Sequence, residues 1–184
     1  MIRLAALALL ASTAFAHAAT ISIMKLTNQY VMFISDDIVK GDDDAFDTAV
    51  AGIPKHARVV VRLNSHGGAL LPAMHIGKAI HDHKWETVVG ADQKCYSACA
   101  MIWVGGTIRW AAGTGHIGFH APSAGVGSTE ADPAGAALMG AYLYSIGYNY
   151  DQIIYMTSVG PTSVQPFSFD DATALGITVK RIKS

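Results

Sequence analysis

The stretch that decides the fold reads VVVRLNSHGG at residues 59–68. Its apolar run through Leu63 is typical of a strand that is buried on both faces of a parallel sheet. The two glycines that follow allow the backbone to approach a ligand closely and to aim N–H groups at it. The Gly67 amide is therefore a candidate donor to an oxyanion. A plain strand-to-helix turn is the alternative, because glycine pairs commonly mark turns.

Strands and helices alternate on both sides of this stretch. The predicted strands span residues 20–25, 30–34, 57–64, 86–90, 107–111, 117–120 and 177–182. The predicted helices span residues 45–53, 69–83, 97–104, 134–148 and 151–158, and a Gly/Ser-rich loop covers residues 121–133. This alternation predicts one α/β domain over residues 19–184 with a mostly parallel sheet.

Residues 1–18 are predicted to be a secretory signal peptide. Arg3 precedes a short apolar core, and Ala-x-Ala sites place cleavage after Ala16 or Ala18. The apolar run is shorter than the roughly 20 residues of a membrane-spanning helix, and an uncleaved anchor is the alternative. We therefore expect a periplasmic or secreted protein.

Composition limits the classes of partner. The formal net charge is −1, so nothing favours nucleic acid or an anionic membrane surface. Charged residues make up 15% of the chain and hydrophobic residues 51%. The signal peptide accounts for part of this apolar share, and a buried subunit interface is a further source.

A second segment, CYSACA at residues 95–100, carries the candidate nucleophile. Ser97 lies at the start of an apolar helix, where free amides point outward and the helix dipole favours developing negative charge. The Ala98 amide is a candidate second oxyanion donor. The alternative is that Ser97 only caps the helix. The segment lacks the Gly-x-Ser-x-Gly motif of the α/β-hydrolases.

A third segment, GFHAP at residues 118–122, carries the candidate general base. His120 ends a predicted strand, and imidazole exchanges protons near neutral pH. Five other histidines compete for the role: His66, His75, His81, His83 and His116. A backbone oxyanion hole, a nucleophile and a base together are the minimum equipment for acyl transfer by a serine hydrolase.

The remaining polar clusters do not predict a metal site. Residues 42–44 are three aspartates ahead of a predicted helix, where carboxylates accept hydrogen bonds from free N–H groups and complement the helix dipole. The spacing of an EF-hand calcium loop is absent. Cys95 and Cys99 lack further ligands at the spacing of a zinc site. We expect neither a metal nor a cofactor.

Cys95 and Cys99 are the only cysteines, and they bracket Ser97. On a helix, residues four apart lie about 6 Å from each other, within the range that a disulfide spans. An oxidising compartment favours the bond, which would fix the backbone around Ser97. Two small buried thiols are the alternative.

The order of these motifs resembles that of the Clp protease proteolytic subunit and its crotonase-like superfamily. Residues 64–68 (NSHGG) are similar to that family's Asn-Ser-Pro-Gly-Gly, and residues 96–98 fall where the family has its nucleophile. Residues 119–122 resemble its histidine segment, and residues 167–177 resemble its closing segment. The similarity covers roughly residues 21–179 and is closer still to secreted relatives with a Cys-x-Ser-x-Cys segment.

The resemblance implies a ClpP/crotonase-like fold with repeated β-β-α units and flanking helices. It implies that Ser97 is the nucleophile and His120 the base. It also implies that Gly67 and Ala98 donate to the oxyanion. Family members assemble into rings, so we expect a homo-oligomer, either a ring or a smaller assembly.

The sequence departs from the family pattern at two places. The resemblance places a catalytic aspartate between about residues 158 and 165, where this chain has no carboxylate. Loss of the orienting aspartate costs about 10⁴ in rate in a triad enzyme. In the second departure, His66 replaces the proline beside the oxyanion turn. Candidate substitutes for the aspartate lie nearby: Asp151, Asp170, Asp171, Thr162 and Ser163.

Three functions are compatible with these residues. The first is a secreted serine peptidase that acts on peptides or unfolded proteins, without an ATPase partner because exported compartments lack ATP. The second is a catalytically weak or inactive relative that binds peptides or assembles with a partner. The third is a crotonase-like enzyme for acyl thioesters, which is disfavoured because coenzyme A is not expected outside the cytoplasm.

Overall fold

The computed structural model describes residues 18–113, 115–125 and 128–182. The predicted signal peptide therefore lies outside the described residues except for Ala18.

The strands are β1 Thr20–Lys25, β2 Tyr30–Ser35, β3 Val59–Asn64, β4 Glu86–Val89, β5 Lys94–Tyr96, β6 Ile108–Ala111, β7 His116–Phe119, β8 Gln165–Pro166 and β9 Val179–Arg181. The helices are α1 Asp42–Val50, α2 Leu70–Asp82, α3 Ala98–Gly105, α4 Pro133–Ser145, α5 Tyr150–Thr157 and α6 Phe169–Ala174. Within the described ranges, every helix is too short or too polar to cross a bilayer.

Two sheets organise the chain. The larger has the strand order β1-β2-β3-β4-β6-β9, in which only the β1–β2 pair is antiparallel. The smaller has the order β5-β7-β8, with β5 and β7 parallel and β8 antiparallel to β7. The predicted mixed α/β class with a mostly parallel sheet and flanking helices is confirmed.

Three short elements were not predicted from the sequence: β5, β8 and α6. β5 has three residues and β8 has two, and such lengths give too few alternations to recognise a strand. α6 has six residues and is held by a capping box between Ser168 and Asp171. Burial of the Asp171 carboxyl opposes its charge, but hydrogen bonds from the Ser168 amide and hydroxyl outweigh it and lower its pKa.

The acidic run belongs to the first turn of α1 instead of preceding the helix. α1 begins at Asp42, three residues earlier than predicted, and Gly41 is its N-cap with φ +98°. The buried Asp42 carboxylate accepts hydrogen bonds from the amides of Val39 at 2.7 Å and Ala19 at 3.2 Å. Asp42 therefore ties the residue before β1 to the β2–α1 connection.

Helix α3 forms the centre of the core, and all eight of its residues are buried. The hydroxyls of Tyr142 and Tyr148 donate to the carbonyls of Met101 and Val104 at 2.7 and 3.1 Å. Burial raises the pKa of both tyrosines, that of Tyr148 to about 12. These bonds satisfy carbonyls that are removed from water, so α4 and the chain after it hold α3 in place.

A buried carboxylate on β4 contacts β6 and the residue that precedes β3. Glu86 accepts hydrogen bonds from Arg58 Nε at 2.9 Å and from Trp110 Nε1 at 2.8 Å. Burial of the carboxyl opposes its charge, but these two bonds outweigh it and lower its pKa below the usual 4.5. The ionised Glu86 carboxylate therefore stabilises the folded state at neutral pH, and this stabilisation is lost in acid.

We expect Glu86→Gln to lower the free energy of unfolding by about 1–3 kcal/mol at pH 7, because charge-assisted bonds are lost. The lowered pKa means that the contribution is present above pH 4.5 and disappears as the pH falls through the folded-state value. Urea denaturation of both proteins at neutral and acidic pH measures this difference. A deficit that stays constant down to pH about 3 would contradict the prediction.

Candidate active site

The three chemistry-bearing segments of the sequence meet in one cavity of about 600 Å³. Gly67, Ser97, Ala98 and His120 all line it. They reach it from the turn after β3, from the start of α3 and from the end of β7. Apolar side chains form much of the remaining wall: Ile38, Val39, Leu70, Met101 and Met139. The cavity is therefore large enough and apolar enough to hold a small ligand or a short peptide segment.

Ser97 occupies a strained turn between β5 and α3. Its backbone has φ +54° and ψ −124°, a conformation that residues with a side chain rarely adopt. Its amide donates to the Gly118 carbonyl at 3.0 Å, while its side chain makes no capping hydrogen bond to α3. The interpretation of Ser97 as a mere helix cap is therefore not supported. Strain of this kind clusters at functional sites.

Gly67 packs directly against the Ser97 turn. It has φ +110°, and a Cβ at this position would lie 2.7 Å from Ser97 Cβ and 3.0 Å from the Ala98 nitrogen. Only glycine fits here. The Gly67 amide donates to the buried Ser65 Oγ at 3.1 Å. Ala98 begins α3, and its amide has no acceptor among the described residues.

The His120 ring is held by its own neighbour along the chain. Its Nδ1 lies 2.7 Å from the Ala121 carbonyl oxygen. A carbonyl oxygen only accepts hydrogen bonds, so this contact requires a proton on Nδ1, and in the neutral ring Nε2 is then the acceptor. Among the described residues, His120 shares no hydrogen bond with Ser97 or with any carboxylate or side-chain hydroxyl.

The carboxylates considered as substitutes for the missing aspartate have other roles or surroundings. The Asp171 carboxylate accepts hydrogen bonds from the Ser168 amide and hydroxyl at the start of α6. Asp151 and Asp170 lie in the first turns of α5 and α6 and are exposed. Within the described part of the chain, none of the three makes a hydrogen bond to His120.

Asp132 is a cavity residue that the sequence analysis missed. It lines the same cavity as His120 and caps α4, where its side chain accepts from the Ala134 amide at 3.0 Å. The sequence signal was an aspartate directly before Pro133, which is typical of a helix start. That signal places Asp132 at a helix terminus but gives no information about the cavity.

The competing histidines separate by location. His66 lines the cavity and has its ring 6.3 Å from that of Tyr96. His75 pairs with Asp47 at 3.0 Å, and His83 stacks on Trp85 at 4.6 Å. His81 lies in the last turn of α2, and His116 is exposed in β7. In the described residues, no group of three or more His, Cys, Asp or Glu side chains is placed to hold a metal ion.

Cys95 and Cys99 lie across the Ser97 turn at disulfide distance, with 2.07 Å between the Sγ atoms and 5.0 Å between the Cα atoms. Both are fully buried. The helical spacing used to judge this pair does not apply, because Cys95 belongs to β5 and Cys99 to the first turn of α3. The crosslink therefore joins a strand to a helix and encloses the nucleophile candidate.

We expect Gly67→Ala to lower the free energy of unfolding by about 1–3 kcal/mol, because a Cβ collides with the Ser97 turn at a positive φ. Gly52→Ala is the matched control, since a Cβ there meets no atom within 4 Å, and it should change stability by less than about 0.5 kcal/mol. Urea denaturation compares the two. Equal effects would show that residue 67 tolerates a side chain.

The cysteine pair predicts that denatured but unreduced protein, made in an oxidising compartment, takes up no alkylating reagent. The same protein after reduction should take up two equivalents, one for each cysteine in the chain. Intact-mass measurement after treatment with iodoacetamide reads both states. Two alkylated thiols without prior reduction would exclude the bond.

No protein-family model matches the chain, and no curated protein matches its sequence. Solved structures do match its fold. One is a serine-to-alanine variant of a membrane-bound stomatin-specific protease, with TM-score 0.63 and 19% identity over 86% of this chain and 82% of that one. Another is a lysine-to-alanine variant of such a protease in complex with a substrate peptide, with TM-score 0.64 and 21% identity over 86% and 78% of the two chains.

Enzymes of coenzyme A metabolism match as well. An enoyl-CoA hydratase from Mycobacterium marinum has TM-score 0.61 and 13% identity over 89% of this chain and 76% of that one. At these identities the likeness concerns the fold alone. The chain has the ClpP/crotonase fold, which both proteases and coenzyme A enzymes share.

Proposed function

We propose that this protein is a serine peptidase that cleaves peptides through an acyl-enzyme on Ser97, with His120 as the general base. The observation that carries the proposal is the meeting of both side chains in one cavity. There Ser97 has a strained backbone and a hydroxyl that makes no capping hydrogen bond to α3. The His120 ring offers Nε2 as a proton acceptor. The fold likeness to a protease with a bound substrate peptide is a second support.

The chemistry follows from these positions. Nε2 of His120 accepts the Ser97 hydroxyl proton as Oγ bonds to the scissile carbonyl carbon, whose oxygen becomes an oxyanion. The imidazolium then gives the proton to the leaving amine as the C–N bond breaks. Water repeats the sequence on the acyl-enzyme, so that Oγ recovers its proton and the peptide acid leaves.

The oxyanion donors in this proposal are the amides of Ala98 and Gly67. Ala98 N–H stands at the N-terminus of α3, where the helix dipole favours negative charge. Gly67 N–H donates to Ser65 Oγ in the unliganded site. An oxyanion is the stronger acceptor, because charge-assisted hydrogen bonds are about twice as strong as neutral ones. We therefore infer that the Gly67 amide changes partner during the reaction.

The substrate class follows from the wall of the cavity. Ile38, Leu70, Met101 and Met139 line the same cavity as Ser97 and favour a substrate with an apolar side chain. Without an ATPase partner, the substrates are short or unstructured peptides. Degradation of a stably folded protein by the purified chain alone would count against this substrate class.

Location and assembly complete the proposal. The sequence pattern at residues 1–18 supports export to the periplasm or the exterior after cleavage near Ala16 or Ala18. Exposed apolar residues on α4 and α5, among them Leu138, Tyr144, Tyr150 and Ile154, support a homo-oligomer.

A peptide-binding or assembly module without activity is the second candidate. Two observations favour it: the described residues place no carboxylate on His120, and they show no hydrogen bond between Ser97 and His120. Hydrogen bonds of catalytic groups are often long before substrate binds, so the peptidase remains our first proposal. Covalent labelling distinguishes the two functions.

We expect a fluorophosphonate probe to label the mature protein through a bond from Ser97 Oγ to phosphorus, with fluoride as the leaving group. Ser97→Ala should abolish labelling, and His120→Ala should slow it by at least about 10²-fold because the base is lost. Peptide mass spectrometry locates the adduct.

The matched controls are Ser22→Ala on β1 and His75→Ala on the exposed face of α2, which lie outside the cavity. Both should label like the unsubstituted protein. Absence of labelling in folded, oxidised protein would reject the peptidase in favour of the binding module.

A further inference from the structure

We propose that the backbone carbonyl of Ala121 performs the orienting task of the missing aspartate. This inference deepens the proposed function and rests on it for its catalytic meaning. A triad carboxylate holds the base histidine in one tautomer and one orientation. In this protein the His120 Nδ1–H instead donates to the Ala121 carbonyl at 2.7 Å. Ala121 is therefore a positioning residue that acts through its main chain.

The segment expected to supply the aspartate lies beside His120 but contributes backbone instead. Phe119 in β7 pairs with Gln165 in β8. The Ala121 amide donates to the Val159 carbonyl at 2.7 Å. The connection between α5 and β8 thus occupies the place that the resemblance assigns to it. It fixes the residue whose carbonyl faces the imidazole.

The Ala121 carbonyl is restrained from its other side as well. The next residue, Pro122, has a ring that fixes its φ, and its carbonyl accepts the Asp132 amide at 2.9 Å. Asp132 is in turn the N-cap of α4. Backbone bonds from two separate segments therefore flank one carbonyl, which limits the positions that the His120 ring can take.

A carbonyl enforces the same tautomer as a carboxylate because both only accept hydrogen bonds. It differs in charge, since a neutral oxygen stabilises the imidazolium less than a carboxylate does. We therefore expect a base that has the correct tautomer but a weaker driving force for accepting the Ser97 proton. Such a site keeps the rate that correct orientation gives and loses the part that comes from the negative charge.

The test is the tautomer of His120. It is measured by long-range proton–nitrogen NMR on protein labelled with [¹⁵N]histidine, at a pH above the ordinary titration range of imidazole. His120→Gln identifies the resonances by their absence. We expect the Nδ1–H tautomer, whereas free histidine favours Nε2–H. An Nε2–H tautomer for His120 would overturn the proposal.

A second comparison tests the restraint on the carbonyl. Pro122→Gly should shift His120 toward the Nε2–H tautomer, and Pro54→Gly, in the exposed turn after α1, should leave it unchanged. An unchanged tautomer in Pro122→Gly would overturn the role assigned to this backbone. These readouts need no activity. An Nδ1–H tautomer without fluorophosphonate labelling therefore rejects the peptidase while the orienting role of Ala121 stands.

Discussion

The complete burial of helix α3 is the constraint on which the site depends. A buried helix must satisfy its terminal polar groups without water. Tyr142 and Tyr148 do this for carbonyls of α3. At the other end Ala98 lines the cavity, and its amide has no acceptor among the described residues. The helix end that the core leaves unsatisfied is thus the end at which negative charge is best stabilised.

The turn that leads into α3 carries the strain of the site. Ser97 adopts a left-handed φ, and the surrounding structure leaves it little freedom. Gly67 packs against it so closely that no side chain fits there. Cys95 and Cys99 enclose it from strand to helix. Close approach of Gly67 on one side and a short crosslink on the other hold the Ser97 turn in this conformation.

Much of this arrangement could be predicted from the sequence, and the errors have physical causes. The run at 59–63 and the glycines after it have strong local signals, so β3 and its turn were predicted correctly. α6 was missed because six residues are too few to show a helical period of apolar positions. The distance between the cysteines was judged from helical spacing, since spacing alone does not reveal that the strained Ser97 divides β5 from α3.

The sequence by itself determined the α/β class and the residue types of the site: glycines that permit close approach, a serine before an apolar helix and a histidine after a strand. Only the tertiary structure decided what contacts the His120 ring and what else lines the cavity. The Ala121 carbonyl is a group that every residue carries, and Asp132 reads locally as a helix cap. Such roles arise when distant segments pack together, so the pattern of side chains along the sequence does not predict them.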